Sequence, residues 1–170
     1  MKTARLFEAR QKRKMPVWAT EGELYEVQIR KTVQYAMFAM DLHGDLLTWN
    51  AGVEALLGYS EEEWIGENVA TIFTPADQAF AICASEMKLA AEAGFASDYR
   101  WHRKKDGSEL FANGYMTAIR STEGELVGYS KILSDETRNK VLQDALTESN
   151  MALEQFARVV SHDHRNRLEP

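Results

Sequence analysis

A chain of 170 residues that is 45% apolar and 27% charged has the length of one domain with appendages and a globular composition, which excludes a disordered or fibrous chain. A net charge of −6 argues against a nucleic-acid footprint for the chain as a whole, and no apolar run of about 18 residues offers a membrane span. The single cysteine, Cys83, can neither close an intrachain disulfide nor give a metal a second thiolate, so no metal is expected and a reducing cytoplasm is the expected compartment.

The basic N-terminal segment, residues 1–20, sets Lys2, Arg5, Arg10, Lys12, Arg13 and Lys14 against Glu8. No apolar stretch follows, so it is not a secretory signal. It reads as a solvated tail or helix, with an arm for nucleic acid or another anionic surface as the alternative. Thr20 and Glu23 form a capping-box pattern that predicts a flanking helix over 21–34.

Short strands are expected at 36–40 and 46–49 around a His43-Gly44-Asp45 turn. Asn50 caps a helix with Val53, Leu56 and Leu57, which Gly58 stops. Ser60 caps the next, with Glu61, Glu62 and Glu63 in its first turn, and residues 68–73 form a further helical turn. Thr74 and Pro75 open a long helix expected to run from Ala76 to Ala93, before Gly94. Three strands follow, over 96–104, 109–119 and 125–133, joined by turns at 105–108 and 121–124; Asp106-Gly107 in the first is a hairpin signal. Two strands, several helices and three strands predict an α+β fold with helices on one face of an antiparallel sheet.

Beyond Asp135, residues Leu142, Leu146, Ser149, Leu153, Phe156 and Val160 alternate spacings of four and three, the a/d seam of a parallel coiled-coil dimer with Ser149 as its polar member. A single amphipathic helix lying on its own domain is the alternative.

Four segments carry a family resemblance. Residues 41–50 (DLHGDLLTWN), 58–68 (GYSEEEWIGEN), 100–114 (RWHRKKDGSELFANG) and 128–137 (GYSKILSDET) stand in the order and spacing of a PAS domain, so residues 35–137 resemble that family. The resemblance implies a five-stranded antiparallel sheet of order 2-1-5-4-3, helices across one face and a ligand often held between. A second stretch, FARVVSHDHRNRL at 156–168, resembles the phosphoacceptor box of histidine kinases through Ser161, His162, Asp163, Arg165 and Leu168. His164 stands where that family has leucine and Arg167 where it has proline, departures that count against efficient phosphorylation of His162. Residues 138–170 are therefore expected to be a coiled-coil linker and a truncated phosphoacceptor helix, without the family's second helix or ATP-binding domain.

These resemblances imply a sensing and dimerisation module of a two-component sensor histidine kinase, non-catalytic by itself, with a response regulator or kinase as partner. The alternative is a histidine phosphotransfer protein phosphorylated on His162 by a separate kinase. In either case a neutral imidazole would attack phosphorus while Asp163 orients the ring. Val69 occupies the position of the reactive cysteine of flavin photoreceptors, and the 76–93 helix lacks histidine, which argues against a flavin–thiol adduct and against haem. Phe38, Trp49, Phe73, Tyr99, Trp101, Phe111 and Tyr115 are the candidate lining of a small-molecule pocket, unless they simply fill the core. His43 and His102 read as surface or satisfied residues rather than ligands. Asp135, Thr137 and Arg138 mark the exit toward the coiled coil, with Arg138 as a charge partner for Asp135.

Overall fold

The computed structural model describes the backbone of residues 20–166 and the side chains of residues 20–159. The basic segment 1–19, the side chains of Val160, His162 and Asp163, and residues 167–170 lie outside the described residues.

Helix α1 spans Glu21–Lys31, and its capping box is formed: Glu23 N–H donates to Thr20 Oγ1 at 3.2 Å and Thr20 N–H to Glu23 Oε2 at 2.5 Å. It stops three residues short of the expected end, because the Thr32 hydroxyl takes the Gln28 carbonyl and Thr32 itself is extended. Strand β1 (Tyr35–Met40) follows, then α2 (Ala51–Leu57), α3 (Glu61–Trp64), a 3-10 turn (Val69–Ile72), α4 (Pro75–Ala79), α5 (Ile82–Ala93), β2 (Phe95–Arg103), β3 (Glu109–Arg120), β4 (Leu126–Asp135) and α6 (Thr137–Asn166).

The sheet has four strands in the order β1-β4-β3-β2, antiparallel throughout. The expected fifth strand, at 46–49, reduces to a single bridge between Leu46 and Met40. Two backbone bonds to β1 flank that bridge: Leu47 N–H donates to Ala39 O at 2.9 Å and Asp41 N–H to Asp45 O at 3.0 Å. The other edge of the segment is taken by the 64–67 turn, where Leu46 N–H donates to Glu67 O at 2.8 Å, its carbonyl accepts from Gly66 N–H at 2.9 Å and the Thr48 carbonyl accepts from the Trp64 indole at 3.0 Å. The ladder stops at Ala39, whose N–H meets the Thr48 hydroxyl at 2.7 Å instead of a backbone carbonyl.

The expected 76–93 helix is two helices. Thr74 Oγ1 caps α4 through Asp77 N–H at 3.2 Å, and the Gln78 amide pins α4 to the 3-10 turn through the Ala70 and Phe73 carbonyls at 2.8 and 3.0 Å. Helix α5 must lay Glu86 and Ala90 against the sheet. The joint between these two placements is Ala81, at φ 51°, an αL conformation that an alanine adopts only under tertiary constraint.

One sheet face carries the core. Ala36, Phe38 and Met40 of β1, Leu110, Ala112 and Met116 of β3 and Leu133 of β4 meet Leu46, Val53, Leu57, Trp64, Val69, Ile72, Phe73 and Ala90 from the connecting elements. Phe38 and Trp64 pack edge to face at 4.9 Å. Asn50 ties the start of this layer together. Buried at the cap of α2, it accepts from Val53 and Met37 N–H and donates to the Ile29, Thr32 and Tyr35 carbonyls. Gly52 lets α2 sit directly on β1, since a Cβ there would lie 1.8 Å from the Tyr35 carbonyl oxygen.

Candidate functional site

Alternation along β2 turns Ala96, Asp98 and His102 toward the helices and Phe95, Tyr99 and Arg103 away. In β4 the same period turns Lys131 inward between Tyr129 and Leu133. The result is a charged cluster inside the apolar layer. The buried Lys131 ammonium lies 2.5 Å from Asp98 Oδ2 and 2.8 Å from Glu86 Oε2, and 4.7 Å from the centre of the Phe73 ring. His102 is fully buried; its Nε2 lies 2.7 Å from Asp98 Oδ2 and its Nδ1 3.0 Å from the Ile72 carbonyl. Arg100 closes the outer side, with Nε 2.8 Å from Asp98 Oδ1 and 3.1 Å from Glu86 Oε1, and Nη1 3.5 Å from Asp77 Oδ1. Five elements are thereby joined: β2, β4, α4, α5 and the 3-10 turn.

The two central carboxylates respond oppositely. Burial pushes the Asp98 carboxyl up, but the His102 hydrogen bond and the Lys131 charge outweigh it and leave the carboxyl below its usual range. At Glu86 burial prevails over the attraction of Lys131, and the carboxyl is pushed up. Because the folded Asp98 is the stronger acid, its contribution is complete above the unfolded carboxyl value, about 3.9, and is lost as pH falls below it. Asp98→Asn is therefore expected to lower stability at neutral pH and to flatten its fall below about pH 4, read from urea midpoints across pH.

The aromatics proposed as pocket lining do not share a face. Phe38 and Phe73 are buried on the helix side. Tyr99, Trp101 and Phe111 stack on the opposite face, with Phe111 ring centroids 4.6 Å from Tyr99 and 5.3 Å from Trp101. Tyr115 lies on that outer face too, exposed beside Phe95. Trp49 sits at the edge, its indole donating to the Tyr59 carbonyl at 3.0 Å. It lines a half-open cleft of about 380 Å³ with Ile29, Arg30, Leu47, Glu61 and Ile65. A second cleft, of about 270 Å³, brings His43 and Cys83 together with Asn68, Gln78 and Met87; burial pushes the Cys83 thiol up to about 11.

At the exit, Asp135 Oδ1 accepts Thr137 N–H at 2.8 Å, and the Thr137 hydroxyl accepts Phe111 N–H at 2.9 Å. Glu136 N–H donates to the Phe111 carbonyl at 2.8 Å, and the Lys140 ammonium lies 5.5 Å from the Phe111 ring centre. The first turn of α6 is thus stapled to β3 as well as continuous with β4. Among the described residues no ion pair joins Asp135 to Arg138; the Asp135 carboxylate is used on Thr137 N–H instead. Thr137→Val is expected to cost about 1 kcal/mol and to speed hydrogen exchange at the Phe111 amide. From Val141 to Val159 every residue of α6 is exposed, Leu142, Leu146, Leu153 and Phe156 included, so the helix does not lie on its own sheet.

Asp98, Lys131, Glu86 and Arg100 were not picked out from the sequence. The available signal was a polar side chain at the inward phase of an alternating strand, as Asp98 and His102 are beside Ala96, and Lys131 beside Leu133.

Residues 46–133 match the PAS fold family. The chain belongs to that family. A PAS domain from Colwellia psychrerythraea, 26% identical, superposes with a TM-score of 0.62 over 68% of this chain and 97% of that one. An RNA-binding light-oxygen-voltage receptor (20% identical, TM-score 0.59, 90% of this chain and 41% of that one) and the ethanol complex of a PAS domain from a LuxR-family transcriptional regulator of Burkholderia thailandensis (14%, TM-score 0.54, 65% and 96%) share the fold. Two-component system protein A of Emericella nidulans is 32% identical over 148 residues, 85% of this chain, and the chain spans 22% of that relative's length. The PAS fold and this relative indicate a role in signalling. Among the described residues no helix is long and apolar enough to cross a membrane.

Proposed function

We propose that this PAS domain is the input and dimerisation module of a cytoplasmic two-component sensor, passing a change in its sheet to the paired helices that follow. One observation carries the reading. Strand β4 leads through Asp135 into α6 with one residue between, and that helix, about 45 Å long, holds its apolar stripe clear of its own domain. Apolar side chains repeating at heptad spacing on an isolated helix are a surface for a second such helix. Similarity to Two-component system protein A supports the signalling context. In a longer parent, His162 would be the phosphoacceptor and Asp163 its orienting neighbour, with a kinase domain or response regulator as the partner.

Sedimentation equilibrium of the full chain tests the pairing. A dimer at low micromolar concentration, reduced to monomer by Leu146→Glu with Leu153→Glu, is the expected result. A monomer at tens of micromolar would contradict it. The phosphoacceptor assignment is tested by incubation with ATP and a histidine-kinase catalytic domain: acid-labile label lost in His162→Gln is expected, and label that persists in that variant rejects it.

A further inference from the structure

The hydrogen bonds of His102 do not balance for a neutral ring. Its Nδ1 faces the Ile72 carbonyl at 3.0 Å and its Nε2 faces Asp98 Oδ2 at 2.7 Å. A carbonyl oxygen only accepts, and so does a carboxylate, whereas a neutral imidazole has a single N–H to give. The second proton has no place on Asp98. Its Oδ2 already receives the Lys131 ammonium at 2.5 Å and its Oδ1 the Arg100 guanidinium at 2.8 Å. Two donations from the ring therefore require the doubly protonated form.

The charges around it agree. Asp98 on β2, Glu86 on α5 and Asp77 on α4 are three carboxylates; Lys131 on β4 and Arg100 on β2 are two fixed cations. An imidazolium brings the group to parity, which a buried set needs far more than an exposed one. The remaining titratable neighbour is the Cys83 thiol, on the same helix as Glu86. Glu86 Oε1, buried, accepts no hydrogen bond and has the Arg100 guanidinium beside it at 3.1 Å as an ion-pair contact only.

We propose that the Asp98–His102–Lys131–Glu86 cluster is a proton-binding site, and that the proton it takes up on His102 is the ligand to which this domain responds. This rests on the input-module reading above and names its stimulus. When the ring gives up that proton it keeps one N–H and must release either the Ile72 carbonyl or Asp98. Release of Ile72 frees the 3-10 turn. Release of Asp98 leaves that carboxylate to Lys131 of β4 and Arg100 of β2, which changes the pull on Lys131 and shifts β4. Lys131 lies four residues before Asp135, on the strand that becomes α6, so the displacement is delivered where the helix begins.

The test is an NMR titration of the full chain with labelled histidine, run alongside sedimentation equilibrium at each pH. Two ring N–H correlations are expected for His102 at the acid end of the folded range, one of them lost as pH rises. The amides from Lys131 to Lys140 should shift with the same midpoint. In His102→Gln the ring signals are gone and the shift of those amides should vanish, while Glu86→Gln keeps the ring signals and moves the midpoint. A ring that holds one N–H at every pH overturns the proposal, and so does a ring that titrates while β4 and α6 stay still. A pH-insensitive dimer with unmoved β4 amides rejects the proton as stimulus and leaves the input module standing. A chain monomeric throughout, whose β4 amides still follow the ring, upholds the proton site and removes the dimeric output.

Discussion

Replacing Lys131 with methionine is expected to lower the free energy of unfolding by about 3–5 kcal/mol, the cost of removing one partner from a buried ionic set. Methionine conserves most of the volume, so the loss is electrostatic rather than a cavity effect. Without the ammonium, Asp98 keeps Arg100 and His102, but Glu86 is left buried with only the guanidinium nearby. Its carboxyl, already pushed up by burial, would be pushed further toward the protonated form once the ammonium that opposes burial is gone. The companion experiment is a double-mutant cycle with Glu86→Gln. The pair should cost less than the two single changes added together, because the second substitution removes the charge that the first left stranded. Urea unfolding of the four proteins measures all terms. A Lys131→Met protein within about 1 kcal/mol of wild type would show that the cluster holds little of the fold together.

Asn50→Ala should cost about 3–4 kcal/mol, although one small side chain is removed. Part is the lost cap of α2, about 1 kcal/mol. The larger part comes from the groups it orphans. Met37 N–H loses its acceptor, and the Ile29, Thr32 and Tyr35 carbonyls lose a common donor. Each buried polar group left unpaired costs about 1–3 kcal/mol, less where water reaches it, as at the end of α1. Asn50→Asp separates the two halves of the account. It keeps the acceptor for Val53 and Met37 but has no donor for the three carbonyls, and it buries a charge against them. It should be at least as damaging as alanine, and a neutral effect would mean that the cap alone matters. Thermal or urea unfolding read by circular dichroism decides this.

Local chemistry was legible in the sequence wherever a feature is closed within a few residues. Thr20, Asn50 and Thr74 each cap a helix that starts where the sequence places a start, and the Asp106-Gly107 turn joins β2 to β3. What was not legible depends on partners far along the chain. Nothing near Thr48 says that its hydroxyl will take the Ala39 N–H in place of a backbone carbonyl, so a pattern fit for a strand pairs with β1 over one bridge and stops. Ala81 carries no breaker signal, yet α4 and α5 are anchored to different parts of the domain and the chain must bend between them. The faces of β2 show the same limit most clearly. Tyr99 and Trp101 are its apolar pair and Asp98 and His102 its polar one, so hydropathy alone puts the aromatics inside. The reverse holds because Lys131 and Glu86, 33 and 12 residues from Asp98, converge to neutralise the polar face. Burial of charge is decided by such compensation, not by the residue's own preference.

The claim that matters most is that α6 meets its twin in parallel register, since without that no change in the sheet has an output. Disulfide trapping measures it directly. In a Cys83→Ser background, Leu142→Cys sits on the apolar seam near the start of the helix, while Asp144→Cys lies off it, on the side where Asp144 pairs with Lys140 at 2.6 Å. Bridging needs Cα atoms within about 7 Å, which a parallel pair provides at a seam position and an antiparallel pair does not provide at the end of one. Mild oxidation should convert the Leu142→Cys protein to a covalent dimer and leave Asp144→Cys as single chains; equal trapping of both, or of neither, would contradict the account.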